Sequence, residues 1–513
     1  MVKTTLLGLG LAITLSPFTS VQAETNPILK VGIVQRFGKQ AGERLHLEAP
    51  PGDQLQLKFA GKTMPAQQVT FTVVPELLPQ PRLEERVVLS YHRSFENAQA
   101  SAHRWQSLGI NTEIVQPDRW QVWAKRSDYD NPVARRLLVQ KLRWLGNNVA
   151  RLESRWLTTS PVLSWEVNGI TYKGTQVDIS TRNGIALVNQ NPYPGTLRLQ
   201  PNAFGSFTLV NFVPLETYLR GVVPHEIGYQ APYSAIQAQA VLARTYALAN
   251  RHRFVVDDYE ICATTHCQVY AGLKNTSPVA DRAIQDTRGK VLTYGGKVVD
   301  ALYSSTTGGI TANFHDLWDG ADRPYLRSVF DTVTPPQNLD LSREQDFRRF
   351  ITLRRGFNEE GWRTFRWEKF TSLEEMATTL REFLRKSGDN KTNFQRIRSV
   401  QITERSRSGR VLKMQVQTDT GTITIEKDEI RDAFHAPGST LFYLEPQLNG
   451  EGELIGYTFV GGGLGHGVGM SQTGAYRLSR MGWNYEKILA FYFRGTTLET
   501  LQPQMIALEW QKP

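Results

Sequence analysis

Apolar and polar positions divide this chain into stretches of different period. Between residues 27 and 75, LKVGIVQRF and ERLHLEAPPGDQLQLKF alternate in part, which predicts short strands around a turn at Pro50-Pro51-Gly52. Residues 86–128 change character. RVVLSY reads as a strand, and SFENAQASAHRWQSLGI as a helix with Phe95, Ala98, Ala102, Trp105 and Leu108 along one face. TEIVQPDRWQVWAKR follows as a hairpin or strand pair, and a helix over 133–147 joins this compact α/β unit to the rest. Strand-like alternation returns over 161–213 between glycine-bearing turns. A helix is predicted over 233–250, with Pro232 suited to its first turn and a stripe of Ile236, Ala240, Ala243 and Ala247 small enough for close packing. Residues 331–395 read as an insertion carrying a helix at 372–386, capped by Thr371 or Ser372, with Glu374 and Glu375 in its first turn. Strands resume over 397–446, and a glycine-rich run at 461–470 leads to a last helix near 484–493.

The fold class expected is α+β. A mostly β-rich mixed domain with a central packed helix, residues 160–500, follows a β-rich region over 24–80 and a small α/β accessory module over 81–150. With 513 residues, more than one domain is expected.

The first residues set the compartment. Lys3, an apolar run from Leu6 to Leu15 and a polar stretch ending in Val21-Gln22-Ala23 describe a signal peptide over 1–23, cut before Glu24. That run is short for a membrane span, although retention as an anchor is the alternative. The expected location is the periplasm or the outer face of the cytoplasmic membrane, in association with the cell wall. The formal charge of +10 falls only by Lys3 on processing. A basic exported protein meets anionic polymers, of which wall peptide carboxylates are one, and export argues against nucleic acid as a partner.

Three groups of residues carry candidate chemistry. The first is VPLETYLRGVVPHE, residues 213–226, directly ahead of the predicted central helix. An acid near helix amides is ordinarily held charged, so Glu226 needs partial burial to serve as a proton donor. Glu216 helps hold the site or forms a salt bridge. The second is CATTHCQVY, in which Cys262, His266 and Cys267 suit a structural Zn2+ completed by His252, His466 or water; a Cys262–Cys267 disulfide is the competing reading. The third comprises two separate polar, glycine-bearing segments, YSSTTGG with Tyr303, Ser304 and Ser305, and GGGLGHGVGMSQ with His466, Ser471 and Gln472. Their glycines permit close backbone approach to a ligand. The second run lacks the Lys-Ser/Thr ending of a phosphate-binding loop. A turn rich in hydroxyls and a buried structural histidine are the plain alternatives.

These strings, with AIQAQAVLARTYA, AIQDTRGKVLTYGGKVVDALYSSTTGG, PYLRSV, SGRVLKMQV, EIR and GGGLGHGVGMSQTGAYRLSRMGWNYEKILAFYFRGTTLE, fall in order over roughly two thirds of the chain. Together they resemble the sporulation stage II protein D and LytB-type amidase-enhancer domain family. The resemblance implies peptidoglycan glycan strands as ligand and Glu226, closing the VVxxE motif, as the catalytic residue of a lytic transglycosylase. It also implies zinc in some relatives and a cleft built in part by YSSTTGG and the glycine-rich run. Other members are described as stimulating a cell-wall amidase, so a wall-binding enhancer without turnover is the second expectation. A zinc-dependent wall peptidase is the third, and it lacks a recognised ligand set. His225 stands where relatives commonly carry another residue. The 81–150 module resembles a glycan-binding sporulation-related repeat, a structural accessory unit being the alternative.

Overall fold

The structure, a computed structural model, describes residues 26–147, 149–336, 339–389 and 391–509. The signal peptide expected at 1–23 lies outside the described residues. The fold is α+β and rich in strands.

Ile28–Phe37 pairs antiparallel with Phe207–Pro214 and parallel with Ile261–Cys262. Leu29, Val31 and Leu209 turn inward, completely buried. The N-terminal strands therefore share a seven-stranded sheet with strands from 177–214, where the sequence suggested a separate β-rich region. The reason is one long ribbon. Gln68–His92 pairs with Arg151–Val167 from Phe71 opposite Trp165 to Val88 opposite Arg151, so the chain leaves and returns along the same line. The α/β module is inserted between the two arms of that ribbon. Its strands Thr112–Val115 and Trp120–Ala124 extend the same eight-stranded sheet beside Gln68–His92.

The module's first helix is Phe95–Ser107, started by Ser94, whose hydroxyl accepts the Asn97 amide at 3.2 Å. Phe95, Ala98 and Ala102 are buried as their spacing predicts, but the helix ends at Ser107 and leaves Leu108 69% exposed. The second helix is Pro132–Trp144, one turn shorter at its end than the apolar pattern suggested.

Tyr233–Ala249 is the centre of the fold. Alanine is the strongest helix former, and a helix apolar on every side must be buried on every side. The small stripe lets the helices Pro278–Asp286, Val223–Ile227, Gln472–Arg480 and Tyr485–Tyr492 pack close around it. Pro232 stands at its N-cap. The buried polar residues of this helix include Arg244, whose Nε and Nη2 donate to the two oxygens of Glu216 at 2.7 and 2.8 Å. Glu216 is thus a buried salt-bridge partner that ties the approach to Glu226 onto the central helix.

Residues 331–395 are built into the body of the protein. Trp367–Ser372 pairs antiparallel with Leu454–Gly461, and Leu373–Lys386 follows, with Ser372 Oγ accepting the Glu375 amide at 3.1 Å. Met376 and Leu380 pack with Val411, Met414 and Phe459 in a second core. Among the described residues, no helix is long and apolar enough to cross a membrane.

Candidate active site

A cleft of about 490 Å³ opens where the central domain meets the α/β module. Glu226, Tyr303, Ser304, Ser305, His466 and Gln472 line it, together with His266 and Cys267. Ser471 lies behind the wall, fully buried, and His252 is not part of the lining.

Glu226 sits on the short helix Val223–Ile227, which Pro224 starts and Gly228 (φ 86°) ends. Gln472 Nε2 donates to the Glu226 carbonyl oxygen at 3.0 Å, and Tyr476 Oη donates to that of Ile227. The helix Gln472–Arg480 thus clamps the acid's backbone, and Gln472 acts on the main chain of Glu226 rather than on its carboxyl. Burial pushes the Glu226 carboxyl up to about 7, against the opposing pull of the Val269 amide (2.6 Å to Oε1) and the Tyr303 hydroxyl. The amide that meets this acid belongs to the CQVY segment, not to the central helix. With Oε1 accepting from Val269, the acidic proton belongs on Oε2.

Gln268, completely buried, orders the tyrosine beside it. Its Oε1 accepts from Tyr218 Oη at 3.2 Å, and its Nε2 donates to Tyr303 Oη at 3.0 Å. With the oxygen of Tyr303 already accepting, its own proton is free to point at Glu226. Replacing Gln268 with leucine removes that constraint and weakens the hydrogen bond that favours ionised Glu226. The expected outcome is an upward shift of the Glu226 titration, read as the alkaline limb of a pH–activity profile. An unmoved limb would show that Gln268 only fills space.

The two glycine-bearing segments meet as a parallel pair, Tyr303 with Met470 and Ser304 with Ser471. Behind them Glu359, completely buried, accepts from the amides of Thr307, Gly308 and Gly309 and from the hydroxyls of Thr307 and Ser471. One carboxylate therefore gathers five donors from both segments. Burial, and then the neighbouring Glu359, push Asp331 well above the usual carboxyl range, so it holds a proton. Gly467 (φ 77°) must be glycine: a Cβ would lie 2.4 Å from Arg410 Nη2, which holds the carbonyls of Thr307 and Ile310. His466 Nδ1 accepts the Val468 amide at 3.0 Å, and its ring bonds the Tyr303 main chain and lies against Trp318 at 5.2 Å. Burial pulls it down to about 4, so it is neutral and joins the two segments. His225 and Tyr229 contact each other beside Glu226, Nε2 to Oη 3.3 Å.

The zinc expectation is corrected. Cys262 and Cys267 form a disulfide, Cα to Cα 5.6 Å, and disulfide sulfurs offer no thiolate. His252 is engaged with Gln99 at 3.1 Å and with the edge of Phe95. Among the described residues, no group of three or more His, Cys, Asp or Glu side chains is placed to hold a metal. Thiol titration of the denatured chain, purified without reductant, is therefore expected to find no free thiol, and metal analysis no bound zinc. Two thiols with one zinc per chain would restore the metal site.

Sequence reasoning missed Gln268, Glu359, Asp331 and Arg410. Gln268 adjoins the disulfide within a string that carries the resemblance, which is the one local signal it offers. Glu359 and Asp331 lie in the segment read as an insertion.

Residues 203–294 match the family described as Stage II sporulation protein, and residues 312–469 match a Domain of unknown function (DUF8618). The chain is 30% identical over 300 residues to the amidase enhancer of Bacillus subtilis (strain 168), covering 55% of this chain and 40% of that protein's length. It is 28% identical over 312 residues to stage II sporulation protein D of Bacillus amyloliquefaciens, covering 56% and 75%, and 26% identical over 314 residues to that of Bacillus subtilis (strain 168), again 56% and 75%. With its ordered motifs and its α+β fold, the chain carries a domain matching the Stage II sporulation protein family over residues 203–294, and it is similar beyond that domain to an amidase enhancer and to stage II sporulation protein D.

Proposed function

We propose that this protein is an exported peptidoglycan lytic transglycosylase, acting in the periplasm or on the outer face of the cytoplasmic membrane. The observation that carries this reading is Glu226, a carboxyl held near 7 by burial in a cleft with room for sugars. A carboxyl so poised is protonated where ordinary carboxyls are not, and it donates readily near neutral pH.

In the proposed reaction Glu226 gives its proton to the glycosidic oxygen between N-acetylmuramic acid and N-acetylglucosamine. The C1–O bond breaks, and the C6 hydroxyl of the muramic sugar bonds to C1. The proton lost by that hydroxyl returns to the Glu226 carboxylate. No water is consumed, the product ends in 1,6-anhydro-muramic acid, and the acid is restored in the same turnover. One carboxyl therefore suffices where hydrolytic glycosidases use two. Tyr303 and Gln268 hold the carboxyl, Gln472 and Tyr476 hold its helix, and Ser304 and Ser305 face the sugar.

Mass spectrometry of purified peptidoglycan after incubation with the mature chain tests this. Anhydro-muropeptides are expected. Their absence, with binding to the sacculus intact, would overturn turnover and favour the second reading, a wall-binding activator of a partner amidase. Similarity to an amidase enhancer supports that alternative, and it is read by adding an N-acetylmuramoyl-L-alanine amidase and measuring its rate with and without this chain.

A further inference from the structure

The second helix of the α/β module, Pro132–Trp144, is apolar on two sides. Leu138, Val139 and Leu142 turn inward, and all three are buried. At about 100° per residue, Val133, Leu137 and Trp144 fall within roughly 40° of one another on the opposite side. They are 62%, 58% and 84% exposed, and Leu145, just past the helix end, is 60% exposed. Trp156, also exposed, extends the patch beside the helix. It shares a strand face with Ser154, whose hydroxyl reaches the Glu85 carboxylate that the helix's own arginines hold. Scattered exposed apolar residues are ordinary on any surface, whereas a strip of them along one helix face marks a place where something docks.

Charge identifies what docks. Arg136 and Arg143 fall along one edge of the strip and Lys141 along the other. No Asp or Glu occurs between residues 131 and 152. Segments 82–86 and 125–155, this helix with the strands it packs on, hold ten Lys and Arg against five Asp and Glu, and Glu113, paired with Arg126, makes six. The carboxylates of those strands are already paired: Glu85 with Arg135 and Arg136 at 3.1 and 2.6 Å, Glu153 with Arg86 at 3.1 Å, and Glu84 with Arg155 at 2.5 Å. The ion pairs of the helix are those two with Glu85; among the described residues Lys141 and Arg143 have none. A soluble anionic polymer would meet the cations and leave the strip in water. A purely apolar surface would cover the strip and leave the cations unmatched. A phospholipid layer, anionic at its face and apolar beneath, satisfies both, and tryptophan favours the boundary between the two.

We propose that the outward side of Pro132–Trp144 lies on an anionic phospholipid surface, with Val133, Leu137, Trp144 and Leu145 among the headgroups and Lys141 and Arg143 on lipid phosphates. No residue of this helix lines the cleft, so docking leaves Glu226 open to glycan. The proposal takes from the reading above only the outer face of the membrane as the place where such a surface is met; binding requires no turnover.

The experiment is flotation of the mature chain, beginning at Glu24, with vesicles of phosphatidylglycerol and phosphatidylcholine in equal parts, beside vesicles of phosphatidylcholine alone. The chain is expected to float with the anionic vesicles, less so as salt is raised, and to stay behind with the neutral ones. Leu137→Ser with Trp144→Ser and, separately, Lys141→Gln with Arg143→Gln are each expected to lower partitioning about tenfold or more. Both double variants should melt within about a degree of the parent, because exposed substitutions away from special features change stability little. No flotation with either vesicle, or flotation that neither double variant weakens, would overturn the proposal. So would a chain that stays behind with lipid but is a dimer in solution and becomes a monomer with Leu137→Ser and Trp144→Ser, which would assign the strip to a second copy. Vesicle binding without anhydro products would overturn the transglycosylase reading alone, and anhydro products without vesicle binding would overturn this proposal alone.

Discussion

Glu226→Gln is expected to end the release of anhydro-muropeptides, with a fall in rate of about a hundredfold or more, while binding to the sacculus persists. General acid catalysis contributes roughly 10²–10⁴ in rate, and glutamine keeps the shape of the side chain without a transferable proton. The same acid sets the pH dependence. Its active form is protonated and its carboxyl is raised to about 7, so kcat/KM should be flat below that value and fall about tenfold per unit above it. An acid with an ordinary carboxylate value would put the fall two to three units lower. Stability moves with the same proton. A carboxyl that titrates at 4.5 when unfolded and about 7 when folded binds more protons in the folded state, so folding weakens as pH rises from about 4.5 through 7. Glu226→Gln removes that dependence, and the variant should melt no lower than the parent at pH 8. A variant that lost activity together with several degrees of melting temperature would have lost its fold rather than its acid.

The second large effect is expected far from the bond that breaks. Glu359→Ala should cost on the order of 3–5 kcal/mol, because it leaves five donors around a buried vacancy, three of them main-chain amides that no rotamer change can redirect. The loss is read as a fall of several degrees in melting temperature. Because these donors belong to the two segments that shape the cleft, cleavage should fall with it even at temperatures where the variant stays folded. A melting temperature within a degree of the parent would show that the segments hold their shape without the carboxylate. Aspartate at 359 is expected to be a poor rescue, because Asp331 lies beside it. The Asp331 carboxyl keeps its proton in the presence of Glu359, and a shorter side chain at 359 would disturb both carboxyls at once.

Much of this was legible from local pattern. The central helix appears within one residue of its expected end, since an alanine-rich run after a proline has few alternatives. Of the two caps read, Thr371 and Ser372, Ser372 caps the helix, because a cap is settled by residues three apart. The Glu226 motif and the glycine-bearing segments were visible as strings, and the structure brings Glu226, Tyr303, Ser304, Ser305, His466 and Gln472 to one cleft. Their roles were less legible. Gln472 grips a backbone carbonyl, His466 joins two segments, and the cysteines pair with each other, all matters of which atoms point where.

Residues close in the chain set the local chemistry: period, caps, turns, and an acid in a motif that carries the family resemblance. Those depend on residues within a few positions of each other. Contacts between distant segments set the conditions under which that chemistry works. The proton on Glu226 depends on burial set against hydrogen bonds from Tyr303 and Val269, 77 and 43 positions away. The support of the cleft depends on Glu359, 52 positions from Thr307 and 112 from Ser471. Its outer wall depends on Glu96 meeting Arg253 across 157 positions. Desolvation and pairing of charges are properties of proximity in space, and proximity over such separations follows from sheet topology, which no short window of residues contains.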